Sequence, residues 1–370
     1  MLHVVHLLSG LEIGGKERAA LRLARQGNRV GQRHALVLFD TPFRSSEVDF
    51  EPGDVPARFL KRGNGLDFRF AGRLAHLLRD MSADVVHAHN DTALFYAVLA
   101  STLRIPRRPR VVATFHTWPT HNSRGARALT RLAAHAATTV AVSEELSQRL
   151  IGTGWLSTCR TIWNGVELDR YSPHGPAGNW RRSLGLGDAS VLVGHVARFD
   201  PIKRHADLIR AASLLRDRVP EVAFVLVGQG ALKEEIRRQA RDLPNVRFVR
   251  ETPDIPALLR SLDLFVLCSS HEAAPLALLE AMACGIPPII TDVGGMPHIV
   301  GYGAAGLVVP PLRPDAIAGA IERLARDPQM RAGIGAAACA QAARFSFEAE
   351  WSAYSALYAG ARPATTGDAA

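Results

Sequence analysis

Short apolar runs recur along the first half of the chain: "LHVVHLL" (2–8), "HALVLF" (34–39), "DVVHAH" (84–89), "RVVATFH" (110–116) and "TTVAVS" (138–143). Each is strand-sized and bounded by polar or turn residues. Between most of them lie stretches with helical spacing, such as "RAALRLARQ" after the glycine-containing loop "GLEIGGKE". Strands alternating with helices predict a parallel sheet covered on both faces. A polar, Gly/Pro-containing stretch follows, "ELDRYSPHGPAGNWRRSLGLGDAS" (167–190), and then the pattern restarts. "VLVGHVARF" (191–199) and "VAFVLVGQG" (222–230) read as strands running into loops, "ADLIRAASLLRDR" (206–218) and "ALKEEIRRQARDL" as helices, and "NVRFV", "DLFVLC" and "PPIIT" as further strands.

The expected organisation is α/β throughout: a first domain over 1–170, a linker over 171–189 and a second domain over 190–344. A terminal helix, "FSFEAEWSAYSALYAG" (345–360), and a frayed tail (361–370) follow. A chain of 370 residues exceeds one ordinary core. Two such units imply a cleft where strand ends face each other.

Composition narrows the class. Hydrophobic content of 47% with 21% charge suits a soluble globular protein. No apolar run reaches the roughly 18 residues that a bilayer requires. The start, "MLHVVHLLSGLEIGG", carries no basic n-region or A-x-A site of a signal peptide. Cys159, Cys268, Cys284 and Cys339 form no C-x-x-C and read as buried thiols in a reducing cytoplasm. The net charge is +9, yet the arginines are scattered and not interleaved with aromatics, so nucleic acid is not an expected partner. Only four of the 44 cations are lysines, Lys16, Lys61, Lys203 and Lys233, which draws attention to each.

The stretch "SSHEAAPLALLEAMACG" (269–285) sets Glu272 in a loop at the carboxyl end of a strand and Glu280 inside the following helix. Pro275 falls near the first helical turn and Gly285 ends the helix. A helix start offers unpaired N–H groups and partial positive charge to a phosphate. Ala273 and Ala274 are small enough to let a ligand reach the backbone. A sugar nucleotide has a matching shape, with hydroxyls on either side of a diphosphate. The plain alternative makes Glu280 a solvated helix residue and Glu272 an N-terminal helix charge.

In "GHVARFDPIKRHADLIRA" (194–211), Arg198 and Lys203 flank a loop between strand and helix, where they could neutralise a diphosphate. Gly14 and Gly15 allow close backbone approach, or are only a turn. No G-x-G-x-x-G occurs, and "GQGALK" (228–233) lacks the third glycine of a dinucleotide fingerprint. His87 reads as a satisfied core residue and His89 is undecided. His116 stands at a strand's carboxyl end, where it could donate to a sugar hydroxyl or phosphate oxygen. Cys268 and His271 lack a second ligand pair for zinc, and no D-x-D triplet signals a diphosphate-bound metal, so no metal or other cofactor is expected.

Taken together, "HEAAPLALLEAMACGIPPIITDVGG", "VARFDPIKRHADLIRA", "EIGGKE", "DVVHAH", "TFHT" and "IWNGVELDRYSP" resemble the motifs of the retaining glycosyltransferases of family 4, from about residue 3 to 358. The resemblance implies the GT-B fold, two Rossmann-like domains facing a central cleft, with the terminal helix returning to the first. It implies metal-independent transfer from a UDP- or GDP-sugar to a glycan or lipid-linked acceptor in cell-surface polysaccharide or glycolipid synthesis. Glu272 would contact the transferred sugar and Glu280 the ribose. Arg198 and Lys203 would hold the diphosphate, and His116, with Gly14 and Gly15, would approach the sugar. Ala273, Ala274 and Pro275 would line the donor. Glu272 is not assigned as a covalent nucleophile. Ala273 stands where the family usually has Gly, and His298 where it commonly has Glu.

A nucleotide-sugar epimerase of the same fold and a non-catalytic sugar-nucleotide sensor are the alternatives. The basic stretch "RIPRRPR" (104–110) and the helix over 124–137 could place a cytoplasmic protein on the anionic inner face of the membrane. In that helix Arg124, Arg127 and Arg131 share a face, with Leu129, Leu132 and Ala133 nearer the other. The same arginines could equally be a solvated face.

Overall fold

The computed structural model describes the chain except residues 12–13, 41–51, 104–107, 120–123, 188–189, 250–251, 253 and 361–370. The expected tail, most of "RIPRRPR" and the last two residues of the expected linker therefore lie outside the described residues. The chain divides into two units, one formed by Met1–Trp163 with the chain from Ala349 onward, the other by Asn164–Glu348. The segment expected as a linker belongs to the second unit. There Tyr171 is buried and Arg181 pairs with Asp263.

The first unit holds a parallel sheet of β1 (His3–Leu8), β2 (Arg33–Leu38), β3 (Ala57–Phe59), β4 (Val85–Ala88), β5 (Arg110–Phe115), β6 (Thr138–Ala141) and β7 (Arg160–Thr161). Their order is β3-β2-β1-β4-β5-β6-β7. All six residues of β1 are buried, as expected of a parallel strand covered on both faces. The helix Gly15–Arg29 packs Ala20, Leu21 and Ala24 on Leu8, Leu36 and Leu38. The helix Asp91–Thr102 begins where Asn90 Oδ1 accepts the Ala93 N–H at 2.7 Å.

The second unit holds β8 (Val191–Val196), β9 (Val222–Val227), β10 (Val246–Val249), β11 (Leu264–Leu267), β12 (Pro288–Thr291) and β13 (Leu307–Val309), ordered β10-β9-β8-β11-β12-β13. Phe224, Leu226, Leu264 and Val266 form its centre with Leu208, Leu215 and Ile321 from flanking helices. The predicted helix after β11 runs Leu276–Ala283, and Gly285 ends it at φ +76°. The strands β3, β7 and β13 escaped the sequence reading, because two or three residues cannot display a period.

Each sheet reverses its strand order once, between β1 and β4 in the first unit and between β8 and β11 in the second. Loops diverge at such a point and leave a crevice at the carboxyl ends of the strands. The residues singled out from sequence follow these four strands: Gly14 and Gly15 after β1, His89 after β4, Arg198 and Lys203 after β8, Glu272 after β11. His116 follows β5, one strand over.

The helix Phe347–Ala359 supplies Tyr354 and Tyr358 to the first unit's interior. Tyr358 Oη lies 2.7 Å from His87 Nδ1, and Thr114 Oγ1 lies 2.7 Å from His87 Nε2. His87 is thus the satisfied core residue expected. Tyr358→Phe leaves one buried ring nitrogen without its partner and lowers stability by about 1–3 kcal/mol. Denaturant unfolding reads this directly, and an unchanged midpoint contradicts it.

Candidate functional site

In the second unit the loop after β8 is built as a rigid turn. Asp200 Oδ1 accepts the Ile202 N–H at 3.1 Å and starts a single 3₁₀ turn, Pro201–Lys203. Arg204 then takes the left-handed conformation, φ 54°, and forks onto Asp207 at 2.8 and 3.0 Å. The loop after β9 supports this turn from beside it. Phe199 N–H donates to the Gln229 carbonyl at 2.7 Å, and Lys233 Nζ to the Gly228 carbonyl at 2.9 Å. Gly228 and Gly230, at φ +145° and +146°, pass so close that a Cβ would lie 2.1 Å from Ala197 O and 2.5 Å from Phe199 O. The glycines of "GQGALK" therefore seat the cationic loop.

Lys203 Nζ is ion-paired with Glu272 Oε1. The same oxygen accepts from Ser269 Oγ at 2.8 Å, and the Ser269 carbonyl is held by Thr291 Oγ1 at 2.6 Å. Ser270 N–H donates to the Ile202 carbonyl at 2.8 Å, joining the two loops across the strand-order reversal. Glu272 is only 8% exposed, so its charge relies on these partners rather than on water.

The backbone beyond Glu272 is fixed from two sides. Gly295 N–H donates to the Ala273 carbonyl at 3.1 Å. Asn164 Nδ2 donates to the Ala274 carbonyl at 2.7 Å. Gly294 approaches so closely that a Cβ would fall 1.5 Å from Glu272 O. Pro275 is the residue before the helix, and no side chain caps Leu276–Ala283. That helix start keeps its partial positive charge beside the Lys203–Glu272 pair in sequence and fold. Glu280, inside the helix, is 2% exposed, which removes the solvated-helix alternative.

The sequence-predicted residues meet unevenly. Lys203 and Glu272 touch, and Ala273, Ala274 and Pro275 form the intervening loop. Arg198 is turned to Asp200, 2.8 Å from its Oδ2, with its side chain 47% exposed. His298 is exposed beside Tyr302 and Phe345. Ser269, Asn164, Asp200 and Gly294 were missed as supports. Only the Asn-Gly-Val segment gave a sequence signal for any of them.

In the first unit His116 lines a pocket of about 280 Å³ together with Ser9, Lys16, His89, Asn90 and Trp118. Lys16 Nζ donates to Ser9 Oγ at 3.2 Å and pairs with Glu17 at 3.1 Å. Gly14 precedes the helix Gly15–Arg29 in extended backbone, and no atom of the described residues lies within 4 Å of where a Cβ on Gly15 would stand. Behind the pocket stands a row of imidazoles. His116 Nε2 lies 3.1 Å from His89 Nδ1, His89 Nε2 3.0 Å from His6 Nδ1, and His6 Nε2 3.0 Å from His34 Nδ1. His34 Nε2 lies 2.8 Å from Gln32 Oε1. His6 and His34 were not singled out from sequence. Ring nitrogens of His6, His87 and His89 lie within 4.8 Å of one another, a spacing that could hold a metal ion. Those nitrogens are already engaged by Tyr358, Thr114 and the imidazole row.

Two surface expectations change. Arg127 is turned inward, its guanidinium 5.5 Å from the Trp155 ring and its Nη1 3.3 Å from the Thr153 carbonyl, whereas Leu132 is 72% exposed. The helix Arg124–Ala134 therefore presents Arg124 and Arg131 with an outward leucine, not three arginines on one polar face. All four cysteines are free, but only Cys268 and Cys284 are buried, where desolvation pushes both thiols up to about 12.

Burial holds the histidine row neutral. It lowers His34 to about 4 and His116 to about 3, the latter with help from the Lys16 charge, and depresses His6, His87 and His89 well below the ordinary 6.5. The unfolded chain binds protons below about 6.5 that the folded one refuses, so stability falls as pH falls from there towards 4 and 3. Each such group contributes about 1.4 kcal/mol per pH unit in that window. Calorimetry from pH 7.5 to 5 is expected to show a steadily falling Tm. A flat or rising Tm contradicts buried neutral histidines.

This geometry has counterparts among known proteins. The family pattern described as "Glycosyl transferases group 1" matches residues 177–341, and "Glycosyltransferase Family 4" matches 13–170. EpsF of Bacillus subtilis, whose name assigns it to glycosyl transfer, is 28% identical over 307 residues, 78% of this chain and 79% of that protein. The GDP-mannose-dependent alpha-(1-6)-phosphatidylinositol monomannoside mannosyltransferase of Mycolicibacterium smegmatis is 37% identical over 186 residues, 47% of this chain and 48% of that protein. In fold, the chain is similar to Anabaena HepE, solved in complex with UDP, with a TM-score of 0.82 at 24% identity, covering 97% of this chain and 100% of that one. With both halves matched in series and both sheets of the GT-B kind, the chain belongs to the group 1, family 4 glycosyltransferases and is a glycosyltransferase.

Proposed function

We propose that the chain transfers a sugar from a UDP- or GDP-sugar to a glycan or lipid-linked acceptor of cell-surface polysaccharide or glycolipid synthesis. Anomeric configuration is retained, and no resident metal takes part. The observation that carries the reading is the Lys203–Glu272 pair beside an uncapped helix start, with buried Glu280 eight positions further on. The mannosyltransferase relative is GDP-mannose-dependent by name and the Anabaena neighbour was solved with UDP, so the class of donor is supported and its base is left open.

In this reading the diphosphate sits at the start of the helix Leu276–Ala283, over the amides of the Ala273–Ala274–Pro275 loop. Lys203 faces it as a point charge, and Arg198 turns from Asp200 to grip it with two N–H groups. Their attraction grows as the leaving diphosphate gains charge, which lowers the barrier. Glu272, fixed by Ser269, accepts from hydroxyls of the transferred sugar, and Glu280 from the ribose. His116 and the Gly14–Gly15 backbone contact the sugar in this reading.

Turnover tests this. The protein is incubated with UDP- and GDP-sugars and a pool of glycan and lipid acceptors, with EDTA in a parallel series. Release of nucleoside diphosphate coupled to a glycoside of unchanged anomeric configuration, undiminished by EDTA, is expected. An altered sugar still attached to its nucleotide, or tight donor binding with no turnover, overturns the proposal.

A further inference from the structure

The imidazole row has a direction. A neutral imidazole carries one N–H and one lone pair, so each ring can donate once and accept once. The Gln32 amide turns its oxygen, its accepting end, to His34 Nε2, and in that orientation Gln32 can only accept. His34 Nε2 must therefore be the donor in that 2.8 Å contact, which leaves His34 Nδ1 as a lone pair. His6 Nε2 must then donate to it at 3.0 Å, His89 Nε2 to His6 Nδ1 at 3.0 Å, and His116 Nε2 to His89 Nδ1 at 3.1 Å. The last nitrogen, His116 Nδ1, is left bare, and it is buried with no hydrogen-bond partner among the described residues.

We propose that Gln32, His34, His6 and His89 act as positioning residues that lock His116 in its Nε2–H tautomer, so that Nδ1 can only accept a hydrogen bond. The group it takes from a ligand is then a hydroxyl, not a phosphate oxygen, which has no proton to give. This refines the sequence expectation that His116 donates. The assignment to a sugar hydroxyl rests on the proposed glycosyl transfer, whereas the tautomer lock does not.

The fold enforces the row at both ends. The β1 and β4 ladder pairs His6 with His87, and β1 and β2 pair Val4 with His34, which sets His34, His6 and His89 on one face of the sheet. At the far end Gly27 makes room for His34, since a Cβ there would lie 2.1 Å from His34 Nε2. The Gln32 backbone N–H is bonded to the Gly27 carbonyl at 2.9 Å, which holds the main chain that carries the acceptor. The titratable and charged groups facing the row are His3, His87, Lys16 and the Tyr358 phenol, with Asp40, Arg62 and Asp91 around the pocket. Burial and the nearby positive groups keep all four rings neutral, so the order persists across the working pH range.

Protonation at each ring nitrogen is read by long-range proton–nitrogen correlation spectra of the ¹⁵N-histidine-labelled full chain without substrate, with His116→Asn used to assign its signals. The wild type is expected to show His116, His89, His6 and His34 each bearing the proton on Nε2 alone, unchanged between pH 6 and 8. Gln32→Leu, at a half-buried position, removes the terminal acceptor, and the opposite tautomer should appear in all four rings together. Gln32→Glu at pH 8 restores an acceptor-only end and the single order. A wild-type His116 protonated on Nδ1, or a Gln32→Leu effect confined to His34, overturns the lock. Because no substrate is present, failure to find glycosyl transfer leaves this result standing on its own.

Discussion

One ammonium held against one carboxylate in a place with little water organises the second unit. Lys203 and Glu272 sit on loops from β8 and β11, the strands on either side of the reversal in strand order. Much of the local architecture keeps those loops in register. Ser269 and Thr291 brace the carboxylate from below, Asn164 and Gly295 fix the carbonyls after it, and the glycines following β9 seat the lysine's turn. Removing one member of a largely buried pair leaves the other charge stranded, at a cost of about 3–5 kcal/mol. A pair of this kind can be opened by a ligand that supplies its own negative charge to the lysine and its own hydroxyls to the glutamate.

The first unit solves the opposite problem. Its sheet buries polar rings rather than a charge pair, and keeps them uncharged. His87 is closed off by Tyr358 and Thr114, while the rings from His116 at the pocket to His34 at the far end are hydrogen-bonded one to the next. The terminal helix Phe347–Ala359 completes this interior, with the Tyr354 and Tyr358 rings against His87 at 5.1 and 5.7 Å. Its sequence reads as a helix, but only the fold gives its aromatics their partners.

Much of this was legible before any coordinates. The long strands, the restart of the pattern after residue 190 and the helix ended by Gly285 follow from periodicity and turn chemistry. The Glu272 and Glu280 positions stood out because carboxylates are rare in apolar stretches. What stayed hidden was relational. That Lys203 reaches Glu272 depends on which strands are neighbours. That Gly228, Gly230 and Gly294 are required depends on backbones distant in sequence passing within a methyl group's width. His6 and His34 carried a faint signal, since they and His89 fall on one face once the registers are known. The reading of Arg127 failed because a helical wheel cannot anticipate Trp155, whose ring draws that guanidinium inward.

The central claim is that Lys203 exists to meet a diphosphate. Calorimetric titration of UDP and GDP into the wild type and a Lys203→Met variant, with the corresponding nucleosides as controls, addresses it without any need for an acceptor. The better-bound diphosphate is expected to lose about tenfold or more in affinity in the variant, and the nucleosides to be unaffected. Equal affinity of wild type and variant for the diphosphate would contradict it.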